Sequence, residues 1–407
     1  SEAVDDERVA ALEVALDTID PVDSPLRALV LATLASELAF SPDYDRRQRL
    51  AAEAEAVARR LGDPAILARV LGLRLFTLWV PPARGEWLGV ADELAALAKR
   101  LDDPLPGIWT TLVRFGSAVE AGDMEAAVHS LGLVSRIAGD LAQPFFQWFV
   151  PILAHMLARI AGRLEEAEAL AEEAHEIGRA AGVPDAFHLY SAQVFWLRYD
   201  QGRLGEVVDL YVQAAARERS RSATRAAGAL ALTELDRGDE ARAVLAPLAA
   251  RSFDVSPLSI TWLFETTILA EACARVGEPA WAELLYRRLA PWGDLVATAA
   301  AGAVSGSVHH YLGLLDGSMG RHDAADVQFA EAAAVHARMG APAFLARTRL
   351  EWARTLLSRR GPGDGKRARQ LLEEALGVAR DLGLGTVEQR AVVLLEEVDQ
   401  SPKPRRA

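Results

Sequence analysis

The chain has 407 residues, 57 of them acidic and 44 basic, with a formal net charge of -13 and a single cysteine. An acidic, interspersed surface excludes the basic footprint that nucleic acid or an anionic membrane would need. One cysteine excludes an internal disulfide, and no apolar run reaches the roughly eighteen residues of a membrane span, so a cytoplasmic location is expected.

Taken in chain order, the first regular features are proline marks. "LGDP" at 61–64, "LDDP" at 101–104, "LAQP" at 141–144 and "AGVP" at 181–184 place Pro64, Pro104, Pro144 and Pro184 forty residues apart. Between them lies a second set, "EAGDMEAA", "IAGRLEEA" and "DQGRLGEV", whose Gly122, Gly162 and Gly202 keep the same beat. Glycine takes the left-handed conformation that ends a helix, and proline in a first helical turn forfeits no intrahelical hydrogen bond. Each unit is therefore read as a helix, a glycine corner, a second helix and a joint where proline starts the next pair. In the first two marks the acidic residue before proline is placed to cap the following helix.

The second helix of a pair is clearest in 163–180, where Leu164, Ala167, Leu170, Ala171, Ala174 and Ile177 follow three-four spacing and Glu165, Glu166, Glu172 and Glu173 take the other side. Such a helix cannot bury its stripe alone. Corners at Gly238, Gly277, Gly320 and Gly365 continue the pattern less regularly, with joints at 217–224 and 251–259, where Pro257 is expected to start a helix, and a solvated loop at 358–367. The expected fold is all-α: a right-handed α-solenoid of about ten helical pairs with a period near forty, forming one domain over 1–400. Its repeats are regular over about 24–218 and less so over about 221–398, and 401–407 is read as a disordered tail.

The corner G-x-x-x-E-A followed by small and aliphatic positions resembles tetratricopeptide repeats, whose usual period is about 34. The stretches at 24–64, 143–174, 309–332 and 341–376 make the whole chain similar to the C-terminal tetratricopeptide-like region of large bacterial signal-transduction ATPases. Those proteins carry adenylate or guanylate cyclase domains or LuxR-type transcriptional regulators. The resemblance implies a sensing module that restrains an attached effector domain. The chain starts at Ser1 without an initiating methionine, as a piece of a longer protein would.

No catalytic motif accompanies the repeats, and no cofactor is expected. "GPGDGKR" at 361–367 lacks the hydroxyl residue of a phosphate-binding loop, because Arg367 stands in its place, and helices flank it. The eight histidines form no H-E-x-x-H or Cys–His cluster, so no metal site is expected. "VSGSVHH" at 304–310 lacks the strand that should precede a nucleophile elbow and is read as helical or broken-helical. Gly302, Gly306, Gly313 and Gly317 nevertheless mark close packing or a space there, with His309 and His310 as possible ligand contacts. Cys273, in "ILAEACARVG", is read as buried packing.

Aromatic residues supply the other candidate surface, since tryptophan and tyrosine couple large apolar area to a polar atom. The candidates are Trp79, Trp109, Phe145, Trp148, Tyr190, Trp196, Tyr199 and Trp262, with Arg198 as a cationic neighbour able to fix a carboxylate. Most follow the proline marks and so fall on first helices, which line the concave side of such arrays. Two readings stand open: recognition of a protein, peptide or attached effector domain along a groove, or capture of a small molecule in an aromatic pocket. A closed hollow would favour the second, an open groove the first. An enzyme built on the scaffold is the least favoured reading.

Overall fold

The computed structural model describes residues 4–41, 43–217, 222–253, 258–300 and 302–400. The helices run α1 (Asp6–Thr18), α2 (Pro25–Glu37), α3 (Tyr44–Leu61), α4 (Pro64–Leu78), α5 (Arg84–Leu101), α6 (Pro104–Glu120) and α7 (Met124–Leu141). They continue with α8 (Pro144–Gln147), α9 (Phe149–Ile160), α10 (Leu164–Ala180), α11 (Ala186–Gln201), α12 (Val208–Arg217), α13 (Ser222–Glu234), α14 (Gly238–Ala249), α15 (Trp262–Val276) and α16 (Pro279–Leu289). Two strands, β1 (Val296–Ala299) and β2 (Ala303–Ser307), precede α17 (Val308–Ser318), α18 (His322–Arg338), α19 (Pro342–Arg359), α20 (Asp364–Leu382) and α21 (Gly385–Gln400).

Consecutive helices pack largely as hairpins: α2 with α3, α4 with α5, α6 with α7, α8 and α9 with α10, then α13 with α14, α15 with α16, α17 with α18 and α19 with α20, while α11 packs on α10 and α12 on α13. The punctuation read from the sequence is physical. Pro64, Pro104 and Pro144 each open a helix, and the Asp63 and Asp103 carboxylates accept backbone N–H bonds of the turn that follows, whereas Pro184 falls in a turn and α11 begins two residues later at Ala186. Gly122, Gly162, Gly202, Gly277 and Gly320 take φ between 71° and 76° at the corners. Gly238 and Gly365 instead begin or enter helices, and the left-handed positions there fall on Asp236 and Gly363. The break between α8 and α9 also has a local cause. Pro151 has no N–H to offer the Gln147 carbonyl, and its ring crowds that turn.

Second helices bury small residues, such as Ala167, Ala171 and Ala174 of α10 and Ala368, Ala375 and Ala379 of α20. Alanine seams let neighbouring helices approach closely, so the first helices can carry the bulky residues.

The all-α expectation needs one correction. Of residues 304–310, read as helical or broken-helical, 308–310 are helical, but 304–307 belong to an antiparallel ribbon that pairs Val296 with Ser307 and Ala299 with Ala303, with a bulge between Ala297 and Thr298. Every residue of β2 is buried. A ribbon covered on both faces lacks the alternation that betrays a half-exposed strand, and its alanines imitate a helix. The glycines around it are close-packing positions: a Cβ on Gly302 would lie 2.8 Å from Leu189, one on Gly306 2.9 Å from His336, and one on Gly313 2.9 Å from Phe329.

The array also bends back on itself. Arg47 of α3 donates to the Leu258 carbonyl just before α15, α9 meets α19 and β2, and α11 meets α21. At the last contact a Cβ on Gly202 would lie 2.8 Å from the Thr386 nitrogen, and one on Gly385 would fall on the Gln201 carbonyl oxygen. Backbone cannot move aside as a flexible side chain can. Gly385→Ala is therefore expected to lower stability by about 2–3 kcal/mol. Gly377→Ala, in α20 with open space at its Cβ, is expected to raise it by about 0.5–1 kcal/mol. Urea unfolding of both variants checks the pair.

The joints at 218–221 and 254–257, including Pro257, and the tail at 401–407 lie outside the described residues. Between Arg359 and Asp364 the loop is short, and the Asp364 carboxylate ties it by accepting from Arg359 and the Gly361 N–H. Cys273 is fully buried, and burial pushes its thiol up.

Candidate functional site

The fold-back frames a half-open cavity of about 540 Å³. Its walls come from one stripe on each successive first helix. Leu75, Phe76 and Trp79 project from the end of α4, Trp109, Leu112 and Val113 from α6, and Phe145, Trp148, Phe149 and Ile152 from α8 and α9. Then come Leu189, Ala192, Phe195 and Trp196 of α11, Thr224 and Ala227 of α13, and Phe264 and Ile268 of α15. Spacing of three and four puts each set on one helical face. Among the lining residues, α12 is the one second helix represented, through Tyr211, and the ribbon contributes Ala299, Ala300, Gly302 and Ala303 at its tip.

The aromatic lining falls into two clusters. Trp109 lies 5.4 Å from Phe76, 6.3 Å from Phe145 and 5.8 Å from Phe149 between ring centroids. Across the hollow, Phe195 meets Tyr211 at 4.7 Å and Trp196 meets Phe264 at 5.4 Å. Two tryptophans are backed by glycine: a Cβ on Gly116 would strike the Trp79 ring, and one on Gly178 would lie 2.6 Å from Trp148 Nε1. Asp185 and His188, both with partners of their own, are the titratable lining residues apart from Tyr211, and no arginine or lysine lines the cavity among the described residues.

Glu120 stands behind this wall. Its Oε1 accepts from Trp79 Nε1 at 3.4 Å and from Thr298 Oγ1 at 3.2 Å, with Arg84 3.7 Å from Oε2. Burial pushes its carboxyl up to about 7, against the pull of Arg84. A carboxyl raised on folding contributes stability that is complete below pH 4.5 and is lost as pH rises through 7. Glu120→Gln is thus expected to stabilise the protein at pH 8 by up to about 3 kcal/mol and not at pH 4.5. Equal gains at both pH values would contradict this.

A second buried feature is charged. Arg275 pairs with Glu271 at 2.8 Å, Glu234 at 2.9 Å and Glu351 at 3.5 Å, while Arg347 lies 3.5 Å from Glu271 and donates to Tyr311 Oη. Tyr199 Oη donates to Glu271 at 2.6 Å, and Arg159 pairs with Asp200 at 2.7 Å. Burial pushes the Glu271 carboxyl up, but Arg347 and Arg275 outweigh it and hold the group at about 2. Beside them, the Ser307 N–H donates to His336 Nε2. That bond leaves Nδ1 of a neutral His336 as the donor to Thr348 Oγ1, whose hydroxyl then donates to His310 Nδ1. Burial, reinforced by Arg347, pushes His310 down to about 3, and burial with His310 and Arg347 holds His336 well below its usual range. The void at the edge of this cluster, about 10 Å³, admits one water at most. It ties helices together and has no room for a substrate.

Of the residues singled out in the sequence, Trp79, Trp109, Phe145, Trp148 and Trp196 line the cavity. The others lie elsewhere. Tyr190 stacks on His175, Arg198 pairs with Glu168 and Glu206, and Tyr199 and His310 belong to the charged cluster. Trp262 is buried off the cavity, and His309 bonds Gln328. Phe76, Phe264, Tyr211 and the ribbon tip were missed. Phe76 is one turn from Trp79 and readable by spacing; Phe264 is two residues from Trp262, about 200° round the helix, so choosing between them needed the register of α15.

Among the described residues no group of His, Cys, Asp and Glu is placed to hold a metal ion, and no helix is long and apolar enough to cross a membrane. Comparison of the chain with protein-family models and with curated proteins finds no match in either.

Proposed function

We propose that this chain is a noncatalytic sensing module that binds a small apolar molecule inside its half-open, aromatic-lined hollow. The observation that carries the reading is the cavity of about 540 Å³ walled by the inner stripes of successive first helices. Its volume falls within the roughly 300–1,000 Å³ of small-molecule sites, and its lining is aromatic and aliphatic with few polar groups, as such sites are. Recognition of an extended peptide is the weaker alternative. A peptide brings a backbone donor and acceptor at nearly every residue, and walls of side-chain carbon leave them unmet. The signalling role, in which occupancy regulates an attached effector domain, is taken from the resemblance to the repeat regions of bacterial signal-transduction ATPases.

The lining also sets a charge preference. An anion entering the hollow gives up its hydration and meets no arginine or lysine among the described lining residues. N-phenyl-1-naphthylamine, an uncharged fluorescent probe, is therefore expected to bind about tenfold or more tightly than 8-anilino-1-naphthalenesulfonate, which adds a sulfonate to the same rings. Energy transfer from the cavity tryptophans reads both titrations. Trp109→Ala, which truncates a half-buried ring at the centre of the aromatic lining, should weaken the neutral probe by about 1–2 kcal/mol. Unchanged affinity in that variant, or preference for the sulfonate, would remove the support for this site.

A further inference from the structure

The ribbon β1–β2 belongs to two places at once. Its tip, at Ala299, Ala300, Gly302 and Ala303, forms part of the cavity wall, and Gly302 sits directly against Leu189 of α11. Its body is bonded to helices from both ends of the chain. Thr298 Oγ1 donates to Glu120 of α6, and the Val304 carbonyl accepts from Arg159 of α9 at 2.6 Å. Ser305 meets Thr267 of α15 through its hydroxyl, and its carbonyl accepts from Tyr311 Oη of α17 at 2.7 Å. The Ser307 N–H donates to His336 of α18.

These bonds leave the ribbon little freedom to move alone. Arg159 also holds Asp200 of α11, Tyr311 also accepts from Arg347 of α19, and His336 shares Thr348 of α19 with His310. A tip displaced by a ligand must therefore either break buried hydrogen bonds, each costing on the order of 1–3 kcal/mol, or carry its partners with it. Buried, fully packed contacts of this kind switch between discrete arrangements more readily than they stretch.

We propose that the β1–β2 ribbon reads occupancy of the cavity: a ligand against its tip shifts the bonds that tie α17, α18 and α19 to α6, α9 and α15, coupling ligand binding to the packing of the C-terminal helices. This rests on the cavity being a ligand site. Coupling is reciprocal, so weakening the ribbon's anchors must alter affinity inside a cavity that those anchors do not line.

The test uses N-phenyl-1-naphthylamine as the probe and the full chain. Tyr311→Phe removes the anchor at Ser305, and Thr298→Val removes the anchor at Glu120; neither residue lines the cavity. Each is expected to change the probe's Kd by about fivefold or more, while Thr355→Val, whose hydroxyl bonds only within α19, leaves it unchanged. Hydrogen exchange should show the probe protecting the ribbon together with 336–348 in the parent, and losing the second effect in Tyr311→Phe. A parent that binds the probe, with Kd unmoved in both ribbon variants and protection confined to the lining helices, would overturn the coupling and leave the binding site standing. A parent that does not bind would overturn both.

Discussion

Arg347→Met is expected to destabilise the protein by about 3–5 kcal/mol, the cost of removing one partner from a buried ion cluster. The guanidinium lies 3.5 Å from the Glu271 carboxylate, donates to Tyr311 Oη and sits over the Tyr199 ring at 4.9 Å. Methionine fills much of the same volume but offers Glu271 no charge, leaving a buried carboxylate with Arg275 and the Tyr199 hydroxyl. Adding Glu271→Gln should recover part of the loss, because the uncompensated charge and not the missing contact dominates. Denaturant unfolding of the single and double variants gives the coupling. A double variant as unstable as the sum of its singles would contradict this account.

The second large effect is acid lability, and its sign follows from the histidines. His310 is neutral in the fold with a folded value of about 3, and burial likewise holds His155 down at about 4. A histidine depressed on folding contributes stability that is complete above the unfolded value near 6.5 and is lost as pH falls through it, since the unfolded chain then binds protons that the folded one cannot. At pH 5 each of these two groups has lost about 2 kcal/mol, with His336 acting in the same direction. Glu120 acts the other way, regaining stability as pH falls from 7 to 4.5, so it softens the decline over that range. Below 4.5 its gain is complete, and Glu271, held at about 2, adds to the loss. Thermal unfolding should therefore show a shallow decrease between pH 7 and 4.5 and a steep one below. His310→Asn should flatten the curve above pH 4.5. A parent equally stable at pH 7 and pH 4 would contradict the buried neutral histidines.

Much of the array was legible because its signals are local. Pro64 and Pro104 with their capping aspartates, and Gly122, Gly162 and Gly202 with positive φ, act within one helical turn, and local sequence determines them. The inner stripes on α4, α6, α8, α9 and α11 followed from the same register, which is why Trp79, Trp109, Trp148 and Trp196 could be nominated together. What was not legible depends on residues far apart in the chain. Gly202 against Gly385, Arg159 on Val304 and Tyr199 on Glu271 are contacts across 72 to 183 residues, and no periodicity encodes them. These contacts decide that the array curls round the hollow, that Tyr199 turns away from it three residues after Trp196, and that His310 is committed to a charged cluster. The ribbon was hidden for a related reason: its strands are short, small-residued and covered on both faces, so only its partners define it.

The central claim is that the hollow takes a small apolar molecule, and filling it tests this most directly. Ala192 lies on the inner stripe of α11 between Leu189 and Phe195, and Ala192→Trp would occupy the space while leaving every aromatic wall in place. Parent and variant are titrated with N-phenyl-1-naphthylamine, with thermal unfolding measured alongside. Saturable binding to the parent that is lost in Ala192→Trp at nearly unchanged stability is the predicted result; a parent that does not bind the probe, or a variant that binds it as well as the parent, would contradict the account.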